Sequence, residues 1–220
     1  MYNKALADVT RHPSLWEGLG GLLCLLFLSF TLACSEEDAT EDEYANWQER
    51  NEAFFASLQD SLQRNPAQWQ RFKNYSFDET VETMGPSSDY IYVKVISSGA
   101  ETTSPAFTDS VRVIYQGRLI PTASYPEGKI FEGTVYGQFS PATSATAKQL
   151  VSRMIEGYAT ALQHMHRGDY WRVYIPSELG YGSTGSGSSI PAYSTIIFDL
   201  MLIDFAPTGE TLPVWSSRQR

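Results

Sequence analysis

The sequence predicts an α+β domain built on an antiparallel sheet. Two observations predict it. From Asp89 onward, short segments alternate apolar and polar residues with period two, and one amphipathic helical segment interrupts them. Hydrophobic residues make up 42% of the 220, enough for a packed core.

The strands are read in order. Tyr90 to Ile96 carries β-branched Ile91, Val93 and Val95 on one face, and Val111 to Leu119 carries Val111, Val113 and Tyr115. Lys129 to Glu132 is a short strand. Tyr170 to Ile175 is closed by Pro176, and Ile196 to Phe205 aligns Ile196, Phe198, Leu200 and Leu202. The helix runs from Gly157 to His166, with Tyr158, Leu162 and Met165 as its apolar stripe. Upstream, Glu41 to Phe72 reads as helical. Trp47, Phe54, Leu58 and Leu62 recur near helical spacing, Asn65 and Pro66 end the run, and a short turn through Trp69 and Phe72 follows. This helix either packs on the following domain or forms an arm for homodimerisation or partner binding. Met84 to Ser88 is a turn-rich boundary.

A net charge of −9 argues against nucleic acid and anionic lipid surfaces as partners. Three histidines and two cysteines form no ligand cluster, so neither a metal nor a cofactor is expected. His164 and His166 read as solvent-facing helix surface.

The N-terminus reads as an export signal. Leu22 to Leu32 is an apolar run too short to span a bilayer, preceded by Lys4 and Arg11. It ends in Thr31-Leu32-Ala33-Cys34, which resembles the lipobox of bacterial lipoproteins, with Thr31 in place of the usual Leu. That resemblance implies lipid attachment at Cys34. The alternative is ordinary cleavage near Ala33. The acidic run SEEDATEDE that follows has nothing to bury and reads as a solvated tether. It also resembles the surface-export signal of Bacteroidetes lipoproteins. With Cys24 and Cys34 both in the signal region, the domain has no internal disulfide to rely on.

Six segments, in order, resemble the FKBP-type peptidyl-prolyl cis-trans isomerase family. Val111 to Leu119 resembles its VxVxYxGxL strand. Lys129-Ile130-Phe131-Glu132 resembles its F-D segment, with Glu for Asp. Met154-Ile155-Glu156-Gly157-Tyr158 resembles its V-I-x-G-W turn, with Tyr for Trp, and Met165 to Gly168 its M-x-x-G. Ile175 to Gly182 resembles I-P-x-x-L-x-Y-G. Ile190-Pro191 and Thr195 to Asp199 resemble the closing loop and strand. Tether and arm are similar to those of Bacteroidetes FKBP-like lipoproteins. The implied organisation is a signal peptide at 1–33, an acidic tether at 34–43, a helical arm at 44–84, an isomerase domain at 89–206 and a tail at 207–220.

The resemblance implies a curved antiparallel sheet wrapped over one short helix, with the peptide pocket between them. It implies catalytic roles for Tyr115, Phe131, Glu132, Ile155, Tyr181 and Phe198, and substrate contacts from Met154, Tyr158 and Ile190. In the family, the backbone N–H at Ile155 and the hydroxyl at Tyr181 hold substrate carbonyls. A carboxylate at position 132 accepts from the tyrosine at 115, and the extra methylene of Glu132 carries it further into the pocket. Two wall aromatics of the family are absent. Counting back from Ile155 places Ala145 and Ala147 there, in a segment from Pro141 that is longer than usual. The loop from Ser183 to Ser189 reads as flexible and lacks the apolar residue expected before Ile190. The pocket is therefore expected to be wider and wetter. The implied function is isomerisation of Xaa–Pro bonds in partly folded exported proteins, anchored through lipid to the outer membrane and displayed at the surface. The competing reading is a non-catalytic module of the same fold that holds a partner.

Overall fold

A computed structural model describes residues 42–77, 85–135, 137–140 and 142–215. The signal region, Cys34 and the tether up to residue 41 lie outside these. Asp42–Arg220 forms one compact unit. In chain order it contains α1 (Trp47–Arg64), β1 (Trp69–Lys73), β2 (Tyr90–Ser97), β3 (Ser110–Arg118), β4 (Ile130–Gly133), β5 (Ala147–Leu150), α2 (Glu156–His164), β6 (Tyr170–Ile175) and β7 (Ile196–Ala206). Among the described residues, all seven strands join one sheet in the order β1-β2-β6-β7-β3-β4, with β5 also on β3.

Every pairing is antiparallel. β3 is the pivot. Its first half pairs β5, from Ser110↔Leu150 to Val113↔Ala147, and its second half pairs β4 through Gln116↔Gly133 and Gly117↔Glu132. Its register slips against β7 between Arg112 and Val113, and against β4 between Gly117 and Arg118. Such irregularities bend a strand and raise its twist, which curves the sheet.

Alternation along the strands sorts the side chains onto two faces. Tyr115, Phe198, Leu200, Trp171, Val173 and Val93 share the face that α2 covers. The helix approaches closely because residue 157 is glycine: a Cβ there would lie 2.4 Å from Ile175 Cγ2. Tyr92, Tyr174 and Ile197 point to the opposite face, and there α1 packs. Phe55 meets Tyr92 edge-on at 5.2 Å, Phe54 tilts on Tyr174 at 6.2 Å, and Gln59 Oε1 accepts from the Tyr92 hydroxyl at 2.8 Å. The rest of that face is covered by a smaller cluster of Ile114, Val135, Met201 and Ile203, against which Phe139, Tyr170 and Trp215 pack.

Several expectations change. The apolar stripe of α1 is Trp47, Phe55 and Leu58, all buried in the main core, with Phe54 and Leu62 at its flanks. α1 therefore packs on its own domain, and the stripe that suggested a dimer arm is covered by the chain itself. Trp69 and Phe72 are not in a helical turn but in β1. They point to opposite faces, Trp69 stacking on Tyr174 (5.4 Å) and Phe72 on Trp171 (5.7 Å). His164 is not solvent-facing, since its ring stacks on Phe72 at 4.2 Å. The tether's last residue, Glu43, stays at the surface and hydrogen-bonds to the domain. Glu43 accepts from the backbone N–H and hydroxyl of Ser124, and these bonds hold its carboxyl below the usual carboxylate range.

Candidate active site

A pocket of about 280 Å³ opens between the α2 face of the sheet and the start of α2. Each wall traces to an element. β3 supplies Tyr115, β4 Glu132 and β7 Phe198, while Met154 and Ile155 lead into α2, whose first turn supplies Tyr158. Tyr181 enters from the turn after β6. Tyr158 forms the floor, 2% exposed, with its ring edge-on to Phe198 at 4.8 Å and to Tyr115 at 6.4 Å.

Seven of the nine residues expected at the site line this volume. Phe131 stands beside it, edge-on to Phe198 at 5.9 Å. Gly117 lies beneath both rings. A Cβ at that position would fall 2.5 Å from Phe131 Cζ and 2.7 Å from Phe198 Cε1, so the glycine lets the two rings meet. Ile190 is 5% exposed and packs into the core behind the wall. Its backbone pairs with Ser186, and Gly185 N donates to Tyr181 O, so the 183–189 loop is a hydrogen-bonded turn rather than an unconstrained linker.

Two lining residues were not anticipated, Gln149 and Arg153. Sequence reasoning counted back from Ile155 and placed the vacant wall positions at Ala145 and Ala147. β5 presents Gln149 to the pocket, and Ala147, two residues earlier on the same face of the strand, packs against the core. Counting fixes side-chain direction only within one unbroken strand, and the 3-10 turn Val151–Arg153 intervenes here. The signal available was the polar side chain at 149 opposite a tyrosine floor. The Tyr158 hydroxyl, fully buried, must find a partner, and it donates to Gln149 Oε1 at 3.1 Å.

The polar groups are set for recognition rather than proton transfer. The Tyr115 hydroxyl donates to Glu132 Oε1 at 2.6 Å. Burial pushes the Tyr115 phenol up, and the bond to Glu132 pushes it further. Burial likewise raises Tyr158, and it raises Tyr181 with a smaller contribution from the Glu132 charge. All three stay protonated donors at neutral pH. Among the described residues, the Tyr181 hydroxyl has no hydrogen-bond partner, and the Ile155 N–H, ahead of the first turn of α2, donates to no backbone carbonyl. No group of three or more His, Cys, Asp or Glu that could hold a metal occurs among the described residues.

Residues 101–203 match the model of the family described as FKBP-type peptidyl-prolyl cis-trans isomerase. The similarity to that family spans a little under half of the chain. The FKBP-type 22 kDa peptidyl-prolyl cis-trans isomerase of Escherichia coli (strain K12) is 36% identical over 123 residues, covering 56% of this chain and 53% of that protein. The outer membrane protein MIP of Legionella longbeachae is 34% identical over 110 residues, covering 50% and 42%. The crystal structure of FkpA from Escherichia coli superposes with a TM-score of 0.50 at 22% identity, over 89% of this chain and 74% of that one. That likeness concerns the fold. The chain spans about half the length of the curated relatives it matches.

Proposed function

We propose that the protein is a peptidyl-prolyl cis-trans isomerase acting on proline-containing, partly folded polypeptides. The observation that carries this reading is the aromatic pocket of Tyr115, Tyr158 and Phe198 with two unengaged donors, Ile155 N–H and Tyr181 O–H, at its edge. Turning an Xaa–Pro bond requires breaking amide resonance, a barrier of about 20 kcal/mol. The twisted amide has less charge separation than the planar one. An apolar aromatic site therefore favours the twisted form relative to water, and the two donors fix neighbouring carbonyls so that the ring can rotate in place. No nucleophile or proton shuttle is needed, and the lining offers no histidine or cysteine.

Exchange spectroscopy on a proline-containing model peptide tests this. Cis and trans resonances should exchange faster with catalytic amounts of the protein. Peptide binding without any acceleration would leave a module that holds its partner.

We place the protein at the cell envelope, attached through lipid at Cys34. The support is the apolar run ending in Ala33-Cys34 and a relative whose name places it in an outer membrane. Two or more acyl chains anchor stably where one is marginal. Cys34→Ala should move the protein from the membrane to the soluble fraction, and unchanged membrane retention would overturn the assignment.

A further inference from the structure

The pocket is not uniformly apolar. Its two charged lining residues, Glu132 and Arg153, come from different elements, and their surroundings differ. Glu132 Oε1 is engaged by the Tyr115 hydroxyl. Arg153, at the end of the 3-10 turn Val151–Arg153, makes no ion pair or hydrogen bond among the described residues. Two more donors belong to the same stretch of chain. Gln149 turns its Oε1 to Tyr158, which leaves the amide N–H₂ without a partner among the described residues. Ile155 N–H is unengaged. One side of the pocket, residues 149 to 155, thus presents a guanidinium, a carboxamide and a backbone N–H. Among the described residues no carboxylate pairs with Arg153, and Glu132, the acid in the lining, is engaged by Tyr115.

We infer that this wall selects the substrate, favouring proline peptides that carry an acidic residue next to the proline, with the carboxylate docked on the Arg153 guanidinium beside Gln149. The inference rests on the isomerase reading of the pocket. The chemistry is the usual match of a planar five-donor cation to a carboxylate. β5 and the turn set where the donors leave the backbone, while docking orders the exposed Arg153 side chain, which holds the gain to that of a surface ion pair. A lysine or arginine at that place would face a like charge.

The test compares peptides that differ only at the residue before or after proline, bearing Glu, Gln, Leu or Lys. Exchange spectroscopy gives the isomerisation rate and chemical-shift titration gives Kd in the same samples. Arg153 is exposed, so partial screening limits the effect. At one of the two positions, Glu should be favoured over Gln by about three- to fivefold, and over Lys by more. Arg153→Gln should bring the Glu-to-Gln ratio to one, and Arg153→Glu should reverse the order of Glu and Lys. High salt should shrink the preference. Equal rates and equal Kd values for Glu and Gln peptides at both positions would overturn the inference. So would a Glu preference that survives Arg153→Gln. If no peptide is isomerised, the isomerase reading fails, while the Kd ratios still decide the role of Arg153.

Discussion

Phe198 touches three rings, Tyr115, Phe131 and Tyr158, and is 4% exposed. Phe198→Ala should abolish most of the isomerisation by wetting the pocket. It should also cost about 3–5 kcal/mol of stability, because the neighbours cannot all collapse into the space. Tyr181→Phe keeps the wall and removes one donor, worth about 0.5–1.5 kcal/mol, or roughly two- to tenfold in rate. Rates and melting curves on the two variants separate these outcomes. The same residues set the pH response. With no histidine in the lining and three tyrosines raised above their ordinary value, the rate should be flat between about pH 6 and 8. A phenol whose folded value is raised stabilises the fold fully below the unfolded value of about 10. That contribution is lost as pH rises above 10 toward the folded value, because the unfolded chain ionises first. Chemical denaturation at pH 8 and pH 11 should show this fall. Most of the pocket residues were legible in the sequence because they sit in short motifs with fixed spacing. Gln149 and Arg153 were not, since they lie where motif spacing passes through a turn of variable length.

At the scale of elements, the strand pattern was readable wherever one face packs on α2. It failed at β1, where Trp69 and Phe72 serve opposite covered faces and so mimic helical spacing. The same two-sided burial explains β7, whose carboxylate at 199 lies within the sheet's second face. Asp199 is 3% exposed and binds two cations. Arg118 Nη2 reaches Oδ2 at 2.8 Å, while Arg172 contributes Nε to Oδ1 at 2.6 Å and Nη2 to Oδ2 at 3.0 Å. This cluster ties β3, β6 and β7 together directly behind Phe198. Removing one partner of a buried pair leaves an uncompensated charge, so Asp199→Ala should destabilise by about 3–5 kcal/mol. Because the cluster is on the other face from the pocket, the peptide Kd of the folded fraction should stay near wild type. Urea titration and peptide binding at low temperature check both halves.

For the whole molecule, the question is what α1 does. The sequence left two readings, packing on the domain or an arm for a second copy. The structure buries Trp47, Phe55 and Leu58 in the main core and adds polar locks that a loose arm would lack. Asn51, 1% exposed, donates through Nδ2 to Trp47 O at 2.7 Å and accepts from Thr195 N at 2.8 Å. Trp47 Nε1 donates to Ser194 Oγ at 2.9 Å. Both locks grip the segment that runs from Ile190 into β7, and β7 carries Phe198. On the other side of the sheet, Asn74 just after β1 donates to Glu156 Oε2 at 2.6 Å in the first turn of α2. The N-terminal elements therefore brace two sides of the pocket without lining it. Each buried apolar side chain of α1 contributes about 1.5–3 kcal/mol. Leu58→Ala should cost about 2–5 kcal/mol, lowering the melting temperature of the whole domain in a single transition. Sedimentation of the soluble domain should give a monomer for both wild type and variant. A dimer that dissociates on Leu58→Ala would return the helix to the role of an arm. A separate low-temperature transition, with the sheet's melting unchanged, would show that α1 only rests on the domain.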